Sequence, residues 1–560
     1  MKRVGLIAVL LAAAPLTAQK PPAPDQKPFP PVAEKVEVSV TNVEVVVTDS
    51  KGNRVAGLTR DDFEVYQDGT PQKISNFYAV SGGKVLLDDG KVVGLDSPEA
   101  KAEIPAELKA KYVLFIDNLN IQPQNRNRMF KSLEEFVKQT IGARAEGMVV
   151  SYNRSLKVRR KFTSEASEII AALDEIEHET GGGTTLAGER RDALHQIDES
   201  QSADSALTIA RNYSRSLRND LEFTVDALKN TMNGLAGVEG RKVLVYVSEG
   251  LPATAGAELY DQIQRKFRDQ AGGSTLEQFE FDMNAKYAGI IRAANAQGVT
   301  IWPLDASGLT TESLISAENR SFDTRPSDFS MRLNTQAPLR LMAEETGGVA
   351  AINTNDWKKN LEELSRDFSN FYSLGYRATR SAVDKPHSVE VRVKRKGLTV
   401  RSRKGFLEKT IETRTAESVV ASLFYPRDEN PLGISLSMGA QQPYDRENFA
   451  IPVRIAVPIG KLGLVPVGDH YEATFFVYVV ARDAAEKQSE LAIQRQVVTV
   501  PTKDLDKAQH KDWYYDFKMA VSPGAQRLSF AVRDGISNLV SYYQKNLFVS
   551  LLPKETKAKS

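Results

Sequence analysis

The first candidate for a functional residue is an aspartate that directly follows an apolar run. Tyr112–Ile116 is a short apolar run, Asp117 follows it directly, and Asn118 and Asn120 come next. A run of this length followed by polar breakers predicts a buried strand of a parallel sheet. Ligands of open α/β sheets bind at the carboxyl ends of the strands, so Asp117 is predicted to lie where binding or catalysis takes place.

Other residue types that carry chemistry lack the neighbours that they need. The five histidines are scattered and form no HExxH zinc motif. Gly181-Gly182-Gly183 precedes a predicted helix whose N-terminus is suited to an anion, but the Lys and Ser/Thr of a phosphate loop are missing. Neither Ser248 nor Ser307 lies in a G-x-S-x-G nucleophile elbow. No catalytic residue is predicted, and we expect a protein without enzyme activity.

Composition narrows the class of protein. The 560 residues suffice for several domains, and 41% hydrophobic with 26% charged residues is ordinary for globular proteins. The net charge of +1 gives no general attraction to nucleic acid, so no nucleic-acid partner is expected. The sequence contains no Cys, which excludes disulfides, thiolate metal sites and cysteine nucleophiles.

The N-terminus has the pattern of a secretory signal peptide over residues 1–18. Lys2 and Arg3 precede the apolar stretch Val4–Ala14, and Leu16-Thr17-Ala18 offers a cleavage site. Residues 19–35 form a Pro-rich leader. The apolar stretch is too short to cross a membrane, and no later stretch is long enough. We therefore predict a secreted or periplasmic protein without a membrane span.

A β unit is predicted over residues 36–81. Valines alternate with polar residues from Val36, and Asp68-Gly69 between two apolar runs is a strong hairpin signal. Residues 82–110 are polar and irregular, and are predicted to be a linker. A β extension over residues 379–407 is expected to pack with this unit.

Strands and helices alternate over residues 111–378, which predicts a parallel sheet covered on both faces. The predicted strands are Tyr112–Ile116, Met148–Ser151, Ser155–Phe162, Val243–Val247, Val299–Leu304 and Val349–Ile352. The predicted helices are Asn125–Thr140, Glu165–Ile176, Ala187–Ile197, Leu207–Leu235, Leu259–Ala296 with a break at Gly272-Gly273, Pro338–Glu345 and Asp356–Phe371. The fold class is therefore α/β, with Tyr112–Ile116 as the first strand of the sheet.

The last part of the chain is predicted to be all β. Six strand candidates occur at the spacing of a β-sandwich over residues 418–553, namely Ile451–Val457, Tyr471–Ala481, Leu491–Val500, Tyr514–Val521, Arg527–Asp534 and Val540–Leu552. We expect an immunoglobulin-like or fibronectin-like sandwich, followed by a charged tail at 554–560. The aromatic residues Trp513-Tyr514-Tyr515 are expected to belong to its core rather than to a carbohydrate platform.

Basic residues crowd the β extension and leave two interpretations open. They are either the solvated face and protected edge of a sheet, or a patch that binds an anionic partner. The residues concerned are Arg392, Lys394, Arg395, Lys396, Arg401, Arg403 and Lys404.

Several segments together resemble a known family. They are VEVVVTDSKGNRVAGLTRDDFEVYQDGTPQKISNFYAV, YVLFIDNLNI, GGGTTL, VLVYVSEG and FYSLGYRATR…HSVEVRVKRKGLTVRSRKGF. The 111–378 block is similar to a von Willebrand factor A domain, and residues 36–407 resemble the A-domain-related proteins of Acidobacteria and other soil bacteria. The resemblance implies a Rossmann-like sheet with a metal site at its top, built in the family from an Asp-x-Ser-x-Ser loop, a Thr, and an Asp before Gly.

The sequence departs from that metal site. Asp117 matches the first acid, but Leu119 and Ile121 replace the two serines, and an alkyl side chain cannot coordinate a cation. Thr184 matches the loop threonine, and Glu249 stands where the family has Asp. The resemblance therefore implies a degenerate metal site at Asp117, Thr184 and Glu249, with Mg²⁺ as the cation to test.

Taken together, these features predict an exported, non-enzymatic protein-binding or adhesion-type protein with an unidentified protein partner and no resident cofactor. The alternative is a binder that depends on a divalent metal, held by Asp117, Thr184 and Glu249. A hydrolase with an unrecognised site is the third class.

Overall fold

The chain forms two compact units in a computed structural model. The structure describes residues 38–82, 84–86, 92–94, 110–142, 145–238, 240–268, 274–309, 325–379, 384–424, 427–445, 448–484 and 487–550. The first unit ends at Glu408 and the second begins at Lys409, with Gly234–Gly237 grouped with the second. The predicted signal peptide, Pro-rich leader and C-terminal tail lie outside the described residues. Within the described part, no helix is long and apolar enough to cross a membrane.

A five-stranded sheet lies at the centre of the first unit, and its strand order follows the doubly wound pattern. The strands, in their order across the sheet, are Val299–Asp305, Arg241–Ser248, Ala110–Asp117, Ala145–Tyr152 and Leu156–Thr163. All pair in parallel except Leu156–Thr163, which is an antiparallel edge strand. The predicted α/β class is confirmed, and we call this part, residues 110–369, the α/β domain.

The central strand Ala110–Asp117 is covered on both faces. Alternate residues of a strand point to opposite faces, and both Leu114 and Phe115 are buried. On one face the strand shares a core with apolar residues of three helices, Pro123–Thr140, Ala166–Glu177 and Trp357–Ser369. Burial on both faces explains why the strand is an unbroken apolar run rather than an alternating one.

The remaining helices of the α/β domain follow the predicted order with different ends. They are Gly183–Glu199, Ala203–Gly234, Ala257–Phe267, Ser274–Phe279, Asn284–Gln297 and Arg325–Thr346. The last one is much longer than the predicted Pro338–Glu345, because Pro338 lies inside the helix rather than at its first turn. The predicted strand Val349–Ile352 is reduced to a single parallel bridge between Ala351 and Leu304.

Two sheets share a second core and form a β-sandwich that is split in sequence. One sheet consists of Thr399–Arg401, Val38–Thr48, Asn370–Thr379, Ile74–Ser81, Lys84–Leu86 and Val92–Gly94. The other consists of Gly405–Glu408, Lys385–Val393, Phe63–Gln67 and Thr70–Gln72. Residues from both sheets, such as Val45, Phe63, Tyr372 and Val391, pack in one cluster. We call this part the split sandwich.

The split sandwich moves two predicted boundaries. Lys84–Leu86 and Val92–Gly94 lie in the predicted linker 82–110 but extend the sheet, since they pair in turn onto Ile74–Ser81. Asn370–Thr379 falls within the predicted 111–378 domain, yet it pairs with Val38–Thr48 and Ile74–Ser81. The α/β domain is therefore inserted between strands of the sandwich.

The basic residues of the β extension are largely paired within the first unit. Arg395 forms an ion pair with Asp62, and Lys404 forms one with Glu345. Arg401 donates to Asp367, which is almost completely buried. Arg403 donates to a backbone carbonyl of the first strand. This pairing favours the interpretation of these residues as sheet face and edge over that of an anionic-partner patch.

The second unit contains two antiparallel sheets around one core, and all six predicted strands are present. The six observed strands are Phe449–Pro458, His470–Asp483, Ala492–Pro501, Asp512–Val521, Gly524–Asp534 and Val540–Val549. The short strands Ser435–Met438, Gln442–Pro443 and Val465–Val467 complete the sheets. Trp513 and Tyr515 pack on or in this core, whereas Tyr514 is exposed. The helix Ile411–Ala421 packs on the outer face of one sheet through Val419.

Candidate binding site

Asp117 lies at the carboxyl end of the central strand and is completely buried. Its Oδ2 accepts hydrogen bonds from the Tyr246 hydroxyl at 2.5 Å and from the Asn120 side-chain amide at 2.9 Å. Its Oδ1 accepts the Asn120 backbone N–H at 3.2 Å, and the same Asn120 side chain also donates to Thr224. The carboxyl group is thus held by groups from the loop that follows it and from the neighbouring strand Arg241–Ser248.

The electrostatics of this buried group favour proton retention. Burial raises the pKa of Asp117, and the donated hydrogen bonds of Tyr246 and Asn120 oppose that rise only in part. Burial also raises the pKa of Tyr246 well above its ordinary value and that of Tyr152 to about 12. Both phenols therefore keep their protons at neutral pH, and Tyr246 remains a donor to Asp117.

Arg126 connects the loop after the central strand, residues 118–122, to the segment at the end of helix Ala166–Glu177. We call residues 118–122 the first loop. This arginine is fully buried on the first turn of Pro123–Thr140. Its guanidinium donates to the Asn118 side-chain oxygen and to the backbone carbonyls of Glu177 and Glu179. A buried arginine needs such a set of acceptors, because an unpaired guanidinium in the interior is costly.

The glycine run packs against the same loop, and this close packing explains why glycine is required there. A Cβ atom on Gly183 would lie 2.5 Å from the Ile121 backbone, and one on Gly182 would lie 2.8 Å from the Leu119 side chain. The Gly182 N–H donates to the Asn118 carbonyl at 2.8 Å. Close packing, rather than an anion, accounts for these glycines.

Glu249 follows the neighbouring strand Arg241–Ser248 and is only partly buried. Its Oε1 accepts the Gln122 backbone N–H at 2.9 Å and the Asn125 side-chain amide at 2.7 Å. Burial raises the pKa of Glu249, and the nearby carboxylate of Asp305 raises it further. Glu249 thus connects the end of the strand Arg241–Ser248 to the end of the first loop and the start of the helix that follows it.

The predicted metal ligands do not fit a cation in this arrangement. Thr184 is exposed on the first turn of Gly183–Glu199, whereas Asp117 is sealed beneath the first loop. Leu119 and Ile121 are buried apolar contacts at the positions where the family has serines. A cation on Asp117 would have to displace the Tyr246 hydroxyl or the Asn120 amide. Within the described ranges, no three His, Asp or Glu side chains are grouped to hold a metal.

An open cleft of about 450 Å³ lies beside the sealed acid. Asn120, Glu249 and Ser307 line it, and they follow three neighbouring parallel strands, so the cleft lies at their carboxyl ends. Its other walls come mainly from helices Gly183–Glu199, Ala203–Gly234 and Arg325–Thr346, and helices Pro123–Thr140 and Ala257–Phe267 contribute Asn125 and Glu258. A cleft of this size at this edge of a parallel sheet is typical of a ligand site.

The walls of the cleft combine apolar and charged groups. Leu186, Leu217, Pro252 and Met331 supply apolar surface. The charged groups are two arginines, Arg190 and Arg332, and two glutamates, Glu249 and Glu258. Arg190 donates to the sulfur of Met331, and Glu258 is buried. The formal charges of the four groups cancel, so the cleft does not favour a polyanion or a polycation.

Sequence reasoning did not find several residues that build this region. Tyr246 carried a usable signal, since a tyrosine within the aliphatic run Val243–Val247 needs a partner for its hydroxyl. Arg126 and Arg332 carried none, because both lie in helices whose neighbours are distant in sequence.

Comparisons with known proteins give structural likenesses only. No protein-family model and no curated protein matches the sequence. Among solved structures, the manganese-loaded TRAP protein of Plasmodium vivax is similar at 8% identity, covering 54% of this chain and 95% of that one with a TM-score of 0.22. Three N-terminal domains of the type V pili tip protein Mfa5 of Porphyromonas gingivalis match at 8% identity, 90% and 76% coverage and a TM-score of 0.24. The PilB minor pilin of Streptococcus sanguinis matches at 9% identity, 58% and 87% coverage and a TM-score of 0.26. Likenesses at these scores carry no functional argument.

Proposed function

We propose that this chain is an exported, non-enzymatic protein-binding protein whose α/β domain is a von Willebrand factor A-type domain. The observation that carries the proposal is the open cleft at the carboxyl ends of three parallel strands, beside an acid that the protein itself satisfies. The strand order of the sheet and its antiparallel edge strand support the fold assignment. The A-domain resemblance remains a family analogy, which supports a binding role without establishing it.

Binding without a metal is the form of the proposal that the geometry supports. The Tyr246 hydroxyl and the Asn120 amide occupy the oxygens of Asp117 that a cation would need. The first loop is therefore fixed by hydrogen bonds and by Arg126, and it needs no ion to hold its shape. A partner would be recognised by the shape and chemistry of the cleft.

The test is partner recovery from cell-envelope extracts with the full chain as bait. Ala187 lines the cleft, so Ala187→Trp fills it, whereas Glu189→Trp adds the same bulk at an exposed position of the same helix. We expect Ala187→Trp to lose the partner and Glu189→Trp to keep it, with and without a chelator. Equal recovery by both variants would remove the cleft from the proposal.

The metal-dependent alternative keeps one observation in its favour, which is that Glu249 lines the cleft. Isothermal titration with Mg²⁺, Ca²⁺ and Mn²⁺ separates the two forms. Heat at millimolar metal that disappears in Glu249→Gln would support the alternative, and so would loss of the partner on chelation. No heat with any of the three ions would sink it.

A further inference from the structure

The guanidinium of Arg332 in the cleft differs from those of three other buried or partly buried arginines of the α/β domain. Arg159 is paired with Glu179, Arg211 with Glu277, and Arg126 with carbonyl and amide oxygens. The Arg332 guanidinium lines the cleft and has no hydrogen-bond or ion-pair partner within the ranges that the structure describes. The Thr335 hydroxyl donates to the backbone carbonyl of Arg332 at 3.1 Å and does not engage the guanidinium.

An arginine in that position selects a planar anion. The guanidinium presents two parallel N–H donors that match a carboxylate, and the pairing is strengthened where water is excluded. Glu249 and Glu258 line the same cleft, so a ligand with several negative charges would meet repulsion. A single carboxylate satisfies Arg332 without that cost.

The surface next to Arg332 is apolar. Met331 precedes it in the helix, and Leu186 and Leu217 line the same cleft. A ligand that fills this site therefore carries its carboxylate close to an apolar side chain. The last residue of a polypeptide has both groups on one carbon atom, whereas the carboxylate of an Asp or Glu side chain is flanked by polar backbone.

We infer that the cleft binds a carboxylate with an adjoining apolar side chain, presented as the carboxyl-terminal residue of a partner polypeptide. This inference rests on the proposed protein-binding function and specifies what part of the partner is recognised. Arg332 pairs with the terminal carboxylate, and the apolar walls receive the last side chain.

The experiment uses the full chain and a fluorescent peptide that ends in leucine, compared with the same peptide amidated at its end. We expect the free acid to bind and the amide to bind roughly 10- to 100-fold more weakly, the range for a charge-assisted hydrogen-bond pair. Arg332→Gln is expected to abolish this difference. Arg340→Gln, an exposed arginine on the same helix, is the matched control and is expected to keep it.

A second pair tests the apolar wall. Leu186→Ser should weaken the free-acid peptide, whereas Leu333→Ser should not, because Leu333 is exposed and does not line the cleft. Equal binding of acid and amide, or an unchanged difference in Arg332→Gln, would overturn the inference. Competition by N-acetyl-leucine as strong as that of the peptide would assign the site to small carboxylates and overturn the assignment to a chain end.

These outcomes separate the inference from the proposed function. If Ala187→Trp loses the envelope partner but Arg332→Gln keeps it, the cleft binds a protein and the ligand class is wrong. If Ala187→Trp keeps the partner, the proposed function itself fails, whatever the peptides do.

Discussion

Two regions lie side by side at the carboxyl ends of the parallel strands and use their polar groups in opposite ways. Beneath the first loop, Asp117 is sealed, and its oxygens accept hydrogen bonds from Tyr246 and Asn120. In the neighbouring cleft, Arg332 is partly exposed and has no partner in the described part of the chain. In the first region the polar groups are satisfied by hydrogen bonds within the protein. In the second region the guanidinium of Arg332 is available to a ligand.

The difference shows which of two neighbouring polar regions at a sheet edge should be tested for function. A polar residue at the end of a buried strand is a candidate by position alone. Its burial and its partners decide whether it can still meet a ligand. Variants of the sealed region should therefore change stability, and variants of the cleft should change binding.

The largest expected effect is that of Arg126→Met. Removing the guanidinium leaves the Asn118 side chain and two loop carbonyls without their donor in a buried site. We expect a loss of about 3 kcal/mol or more in the free energy of unfolding of the α/β domain. Urea unfolding followed by the fluorescence of the buried Trp302 and Trp357 measures it.

Lys131→Met is the matched control for that variant, because Lys131 is exposed on the same helix. Its stability should stay within about 0.5 kcal/mol of the parent. An equal loss in both variants would mean that the helix, not the buried guanidinium network, was damaged.

A smaller loss of stability is expected for Tyr246→Phe. The change deletes the hydroxyl that donates to buried Asp117 and leaves ring packing intact. The free energy of unfolding should fall by about 1–3 kcal/mol, the range for a buried acceptor that is left without its donor. Tyr287→Phe removes a hydroxyl that donates to the neutral Pro252 carbonyl, and it should cost about 1 kcal/mol. A larger cost for Tyr287→Phe would contradict the role given to Asp117.

The pH dependence of stability tests whether Asp117 is truly sealed. Burial raises its pKa in the folded state above the unfolded value. Between those two values the folded protein binds more protons than the unfolded chain, so stability falls as the pH rises through that window. Asp117→Asn should remove this contribution, which reaches at most about 1.4 kcal/mol per pH unit. Denaturant midpoints of both proteins across the acidic-to-neutral range measure it, and identical slopes would refute a raised pKa at Asp117.

The smallest effect on stability is expected in the cleft. Arg332→Gln removes no hydrogen bond within the described residues and should change the free energy of unfolding by less than about 0.5 kcal/mol. Thermal unfolding beside the peptide-binding assay measures both properties on one sample. A loss of several kcal/mol would show that Arg332 is a structural group like Arg126, and the contrast between the two regions would disappear.

Local patterns predicted the elements but not the contacts between them. The apolar run Tyr112–Ile116 predicted the central strand, and the alternation in 418–553 predicted all six long strands of the second unit. Pro338 led to a wrong predicted helix start, because proline favours the first turn of a helix but here lies inside the helix Arg325–Thr346.

The candidate site was predictable only in part, since Glu249, implied by the family resemblance, lines the cleft, whereas Asp117 is sealed beside it. Asp117 was placed correctly by the end of its strand, but its partner Tyr246 lies 129 residues away in the sequence. The walls of the cleft include residues of five helices, and no local sequence pattern encodes how these helices are placed relative to one another. Leu119 and Ile121 did predict the weakness of the metal site, since their side chains cannot bind a cation.

The split sandwich has a consequence for how the chain reaches its folded state. The first strand, Val38–Thr48, pairs with Asn370–Thr379, so it must wait until the whole inserted domain has been synthesised. Pairing of such distant segments is slow, and unpaired strand edges are prone to aggregate in the meantime. The α/β domain can complete its own sheet first and bring residue 370 back to a sandwich strand that precedes the insertion, because Asn370 pairs with Ser81. In this order of assembly, the folded α/β domain brings together the distant strands of the split sandwich, which then pair.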